Sequence, residues 1–93
     1  MKKEKVQFVS DEDYAKCSIN LKDSLYHYIE EKRPVGSFLT AVLSNDLFDS
    51  FGRADHMNRI QLYNIVSWIY NYAPTSCYGS RDIVKAWLVK DEE

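Results

Sequence analysis

No run in this chain approaches the roughly 18 apolar residues that a membrane-spanning helix requires, so no membrane span is expected. The basic start Met1-Lys2-Lys3-Glu4-Lys5 is followed by no hydrophobic signal core, and secretion through a cleaved signal is not expected either. Charge of one sign is also missing. A formal net charge of -2 leaves no broad basic face for non-specific DNA binding, although a local basic patch stays open. Cysteine is limited to Cys17 and Cys77, in no metal or redox spacing, and the reading is two free thiols in a reducing compartment. His27 and His56 lie far apart, so a zinc site would need long-range assembly, and no metal or cofactor is expected. No glycine-rich spacing with a lysine marks a phosphate-binding P-loop: Pro34-Val35-Gly36-Ser37 has one glycine and one serine before a helix, which reads as a cap.

What the chain does hold is aromatic side chains. Two tryptophans, seven tyrosines and four phenylalanines in 93 residues argue against disorder. A chain of this length has room for one domain with a thin core. Tyr63, Trp68, Tyr70, Tyr72, Tyr78 and Trp87 are more than such a core hides. They are either half-buried with polar tips outward or part of a surface for a partner protein or a flat ligand. Tyr26 and Tyr28 could join that surface or line a dimer interface, and a thin core favours self-association.

Periodicity and capping predict an all-α fold, a compact bundle of about four helices. Residues 1–13 are expected to be a flexible or extended N-terminal segment, with Val6, Phe8 and Val9 extended or packed loosely across the helices. Residues 14–90 are expected to be a single helical domain. The first predicted helix runs from about Leu21 to Lys32, with Asn20 as its N-cap. Leu21, Leu25, Tyr28 and Ile29 form its apolar face, with His27, Glu30 and Glu31 elsewhere. The second starts on Ser37 as N-cap and carries Phe38, Leu39, Val42, Leu43 and Leu47 inward. A short turn follows, anchored by Phe48 and Phe51 and stopped at Gly52. The third is capped by Asp55 and reaches about Tyr72. Met57, Ile60, Ile65, Ile69 and Tyr72 point broadly inward, and Pro74 closes it. Ser80 caps the fourth, which packs through Ile83, Val84, Trp87 and Leu88. Lys90 to Glu93 reads as a frayed polar tail.

The densest polar stretch is Gly52-Arg53-Ala54-Asp55-His56-Met57-Asn58-Arg59. Read functionally, it is an anion site: helix N–H groups favour negative charge, and Arg53 or Arg59 could grip phosphate or carboxylate. Read structurally, Asp55 caps the helix, Arg59 pairs with it four residues on, and the rest is solvated. Asn45 and Asp46, with Asp49, form a second cluster. Asn45 and Asp49 are four apart and so share a helix face, and they could receive Arg53 or Arg59 in a network joining the second and third helices. Cys77 reads as a small buried hydrophobe rather than a nucleophile, because no base stands near it in sequence. The candidate binding residues are therefore Asn45, Asp46, Arg53, Asp55, His56, Asn58, Arg59, Tyr63 and Tyr78.

The run from Pro34 to Trp87 resembles a group of small proteins encoded by bacteriophages and prophages. The matching positions begin with Pro34, Gly36-Ser37-Phe38-Leu39, Ala41-Val42-Leu43 and Asn45-Asp46-Leu47, then Phe51 before Arg53-Ala54-Asp55. They continue through Asn58, Leu62, Ile65-Val66, Tyr70-Asn71, Pro74, Cys77, Gly79-Ser80, Val84 and Trp87. The group often has a tryptophan where this chain has Tyr78, which leaves a packing or stacking role open. The resemblance implies a viral or mobile-element origin and action in the cytoplasm of a bacterial host. It carries no activity, so no catalytic residue follows from it.

The leading expectation is a non-enzymatic accessory or regulatory protein that binds a host or phage macromolecule, a protein before others. Second is a small-molecule or nucleotide binder combining Arg53 or Arg59 with a nearby aromatic ring. Third is nucleic-acid binding by the second and third helices as a helix-turn-helix, disfavoured by the acidic residues in the joining segment. Enzyme activity comes last, since no nucleophile–base pair or metal set is visible.

Overall fold

The computed structural model describes residues 7–18 and 20–89. Val6 and the tail from Lys90 lie outside them. The described residues form an all-helical, compact fold with no sheet: α1 (Asp11–Tyr14), α2 (Lys22–Glu31), α3 (Ser37–Leu43), α4 (Leu47–Arg53), α5 (His56–Tyr72), a 3₁₀ turn (Thr75–Cys77) and α6 (Arg81–Leu88). Six α-helices therefore stand where about four were expected. The extra ones are short: α1 lies in the stretch read as flexible or extended, and the short turn after the second predicted helix is α4.

Local chemistry explains most of the boundaries. Ser10 caps α1 by accepting from the Asp13 N–H, with three acids in the first turn favouring the helix N-terminus. At α2 the expected Asn20 cap is not used: Leu21 is the boundary residue and no side chain caps it. Leu21 instead packs against the core, and its carbonyl accepts from Leu25 at 2.9 Å. Gly36 rather than Ser37 is the N-cap of α3, so Ser37 is already helical.

The break between α3 and α4 falls at Asn45, which takes a left-handed conformation with φ 63°. Asparagine tolerates that region better than most residues. The Asn45 N–H reaches the Val42 carbonyl and the Asp46 N–H the Ala41 carbonyl, both at 3.0 Å, which ends α3. Asp46 then caps α4 through the Asp49 N–H at 3.1 Å. Asn45 and Asp49 thus share no helix face. Gly52 does not stop α4, which ends one residue later at Arg53. Asp55 caps α5 through the Asn58 N–H at 2.8 Å, and Ser80 caps α6 through the Ile83 N–H at 3.1 Å, both as read from the sequence.

The core is centred on Leu25, Tyr28 and Ile29 of α2, Leu39 and Leu43 of α3, Ile65, Trp68 and Ile69 of α5, and Trp87 of α6. Its buried aromatics carry their polar atoms inward. Tyr28 donates its hydroxyl to the Cys77 carbonyl at 2.8 Å, Trp87 its indole N–H to the Tyr28 carbonyl at 2.8 Å, and Trp68 its own to the Asp13 carbonyl at 2.9 Å. Each joins segments about fifty or more residues apart, and each pairs a group that burial would otherwise penalise.

Glu30 is the main departure on α2. Read as lying off the apolar face, it is buried. Its carboxylate accepts from the Phe8 N–H at 2.9 Å, the Val9 N–H at 3.0 Å and the Tyr14 hydroxyl at 2.8 Å. The segment before α1 is thereby pinned across the bundle, with Val9 buried and the Phe8 ring edge-on to Trp87 at 5.2 Å.

Other apolar residues expected inside are outside. Leu47, Phe48 and Phe51 of α4 and Met57 and Ile60 of α5 are exposed. Residues 56–64, the first half of α5, contain no buried side chain. The reason is geometric: the molecule is elongated, 47 × 28 × 18 Å, and of the apolar residues in the first half of α5 only Leu62, partly buried, packs against the core.

Candidate functional site: an apolar groove between α3, α4 and α5

The polar residues singled out in the sequence do not converge. Asp55 is spent on its capping bond. His56 is exposed. Asn58 faces the other way and lines a shallow cavity with Leu21, Ser24 and Phe38. The Arg59 guanidinium lies over the Phe51 ring, 5.5 Å from its centroid. Arg53 pairs with Asp49 on its own helix, Nε to Oδ1 at 2.9 Å. Neither arginine lines any of the four cavities described, so the combination that nucleotide binding needs is not gathered around one of them.

The Asp46 network is closed by a residue that the sequence reading did not consider. Arg81, at the start of α6, places its guanidinium 2.9 Å from Asp46 Oδ2 and 3.2 Å from Asp49 Oδ2. It therefore bolts α4 to α6. The Arg81 hydrogen bond, then the Asp49 N–H, holds the Asp46 carboxyl below its ordinary range. No periodicity pairs positions 35 residues apart, which is why Arg53 and Arg59 seemed the natural partners.

Above this network runs a groove. Two adjoining cavities of about 220 and 190 Å³ share Val42, Asn45 and Val66. One continues past Ile69 to Tyr70, Tyr78 and Gly79, the other past Leu62 to Leu47, Asp46 and Ser50. The left-handed turn at Asn45 creates the opening, because it swings α4 away from the line of α3. Gly79 closes one end: its N–H donates to the Leu43 carbonyl at 2.7 Å, and its φ of 133° suits glycine alone. Of the residues singled out in the sequence, Asn45, Asp46 and Tyr78 line the groove. Tyr63 stands beside it, because Tyr63, Val66 and Tyr70 form one exposed stripe at i, i+3 and i+7 along α5.

The largest of the four cavities, about 490 Å³, lies on the opposite side of α5 and was not foreseen. Gln61, Asn64, Ser67 and Asn71 give it a polar wall, with Lys16 and Ser18 across from them. Much of that wall is already paired: Ser18 with Gln61, Asn71 with Ser67, and Lys16 with Asp13. Asp46, Ser50 and Gly79 of the groove are bonded as well, but the rest of its lining is largely carbon, from Val42, Leu47, Leu62, Val66 and Ile69.

The thiols offer no nucleophile at neutral pH. Burial pushes Cys17 up to about 11 and Cys77 up to about 12, so both stay protonated. Among the described residues no group of three or more histidine, cysteine, aspartate or glutamate side chains could hold a metal ion, and no helix is long and apolar enough to cross a membrane. Comparison with family models, curated proteins and solved structures gave no match.

Proposed function

We propose that this chain is a non-enzymatic recognition protein that receives apolar side chains of a partner protein in the groove between α3, α4 and α5. The observation that carries this reading is the tandem pair of apolar cavities around Val42 and Val66, flanked by exposed Leu47 and Tyr70. Two adjoining cavities suit successive anchors of an amphipathic helix, which present at i and i+3 or i+4. The flanking aromatic supplies contact area at low entropic cost, and the Asn45 and Tyr78 polar groups supply a rim. The resemblance of the run from Pro34 to Trp87 to phage-encoded proteins supports a host or phage protein as the partner and the bacterial cytoplasm as the place of action.

The test is capture from bacterial host cells, read by mass spectrometry, with the intact chain and a Val66→Glu variant in parallel. Val66 is half outside the core, so the variant is expected to keep its helical circular dichroism. The expected result is one host or phage protein enriched by the intact chain and lost with Val66→Glu. Equal capture by both, or capture of nothing, overturns the reading.

A further inference from the structure

Beyond the groove, the outer face of α4 and the first half of α5 form a second apolar surface. From this surface we infer that the chain pairs with a second copy of itself, face to face about a two-fold axis. One contact, between Phe51 and Arg59, joins its α4 and α5 parts. Phe48 and Phe51 are one turn apart on α4, the Phe51 ring meets Arg59, and Arg59 is followed at i+4 by Tyr63, with Ile60 and Met57 at successive steps of three before it.

Its size argues for a stable partner. Phe48 is 89% exposed, Tyr63 81% and Phe51 56%. At roughly 150–250 Å² per aromatic side chain, these three rings leave on the order of 450 Å² uncovered. Ile60 at 63% and Met57 at 47% extend the same surface. The largest patch on a monomer is typically about 300–600 Å², and each side of a standard interface contributes about 800 Å². With Ile60 and Met57 added, the patch stands at the upper end of what a lone molecule usually shows and supplies more than half of what one side of a dimer needs.

Charge and helix stability select a second copy as occupant. An isologous interface must be complementary to itself, so a patch of one sign would repel its twin. Here Asp49 and Asp55 are matched by Arg53 and Arg59, leaving the rim balanced. Residues 56–64 form two and a half turns without a buried side chain, yet helices draw most of their stability from packing. Docking against the same segment of a second chain supplies that packing to both copies at once.

Sedimentation equilibrium on the full chain tests this, across concentrations from about 1 to 500 μM, a span set by the affinities of such interfaces. Three variants are compared: Phe48→Asp and Ile60→Asp in this face, and Val66→Glu in the groove. The expected result is a mass twice 10.9 kDa at the upper concentrations. Association should weaken tenfold or more for Phe48→Asp and Ile60→Asp, as expected for central apolar anchors, and stay unchanged for Val66→Glu. All three sites are exposed, and circular dichroism confirms that each variant folds. A monomer throughout the range, or a dimer indifferent to both face variants, overturns the inference. Loss of a captured host protein by Phe48→Asp from a chain that stays monomeric assigns the face to a foreign partner and likewise overturns it. The groove reading stands or falls separately on Val66→Glu.

Discussion

Tyr14 donates its hydroxyl to the buried carboxylate of Glu30 at 2.8 Å, and that carboxylate also takes the Phe8 and Val9 N–H groups. One side chain on α2 thereby determines where the segment before α1 lies. Among the described residues its partners are three hydrogen-bond donors and no cation.

Removing one or both partners should have graded effects. Tyr14→Phe deletes one hydrogen bond to a charged group and should cost about 1.5–3 kcal/mol. Glu30→Ala strands two backbone N–H groups and the hydroxyl, and should cost on the order of 3 kcal/mol or more. Urea denaturation measures both. Amide exchange should also show Phe8 and Val9 unprotected in Glu30→Ala while Ile65 and Ile69 stay protected. Protection of Phe8 and Val9 in that variant would mean that the core, not Glu30, holds the segment.

Lys32 ends α2 in the left-handed region, φ 56°, with its ammonium 3.5 Å above the Trp87 ring. The backbone conformation is unfavourable for a residue with a Cβ, by roughly 1 kcal/mol, and the cation–π contact offsets a similar amount. Lys32→Ala keeps the first and loses the second, so it should destabilise. Lys32→Gly loses both, so it should be about 1 kcal/mol more stable than Lys32→Ala. Chemical denaturation followed by tryptophan fluorescence gives the comparison. Equal stability of the two variants would show that the left-handed turn carries no strain.

Alkaline pH should unfold the chain through its buried acids. Burial raises the thiols of Cys17 and Cys77 to about 11 and about 12. Burial, with Glu30 at Tyr14, raises the Tyr14 and Tyr28 hydroxyls above the tyrosine range. A group with a raised folded-state pKa loses its proton first in the unfolded chain. Its stabilisation is complete below the ordinary value, about 8.5 for a thiol and about 10 for tyrosine, and is lost as pH rises through the folded-state value. The urea midpoint should therefore fall from about pH 8.5 upward, and less steeply in a Cys17→Ala, Cys77→Ala double variant. In the native chain at neutral pH, a thiol reagent should modify neither cysteine faster than local or global opening exposes it. Rapid modification of the native chain would refute this account.

Local order was legible in the sequence because its causes are local. Asp55, Ser80 and Pro74 mark ends of α5 and α6 through bonds and clashes that reach only a few residues. The inward face of α2 through Leu25, Tyr28 and Ile29 follows from helical spacing alone. Asp46 as a point of attachment was also legible, as a carboxylate among arginines, but its partner was not. Arg53 and Arg59 are near in sequence, whereas Arg81 reaches it from α6. Of the residues singled out, Asn45, Asp46 and Tyr78 line the groove and Tyr63 stands beside it, while Arg53, Asp55, His56, Asn58 and Arg59 scatter to caps, pairs and solvent.

By itself, then, the sequence determined that the chain is helical, where α5 begins and ends, and which aromatics must be accounted for. Tertiary structure alone decided which apolar residues stay outside. Periodicity states that Phe48, Met57 and Ile60 share the character of core residues, but not whether a neighbour arrives to cover them. That depends on where α4 is sent by one left-handed residue, Asn45, and on how much of α5 the small core can reach. The groove and the outer face both exist because a helix of 17 residues outruns the core available to a chain of this size.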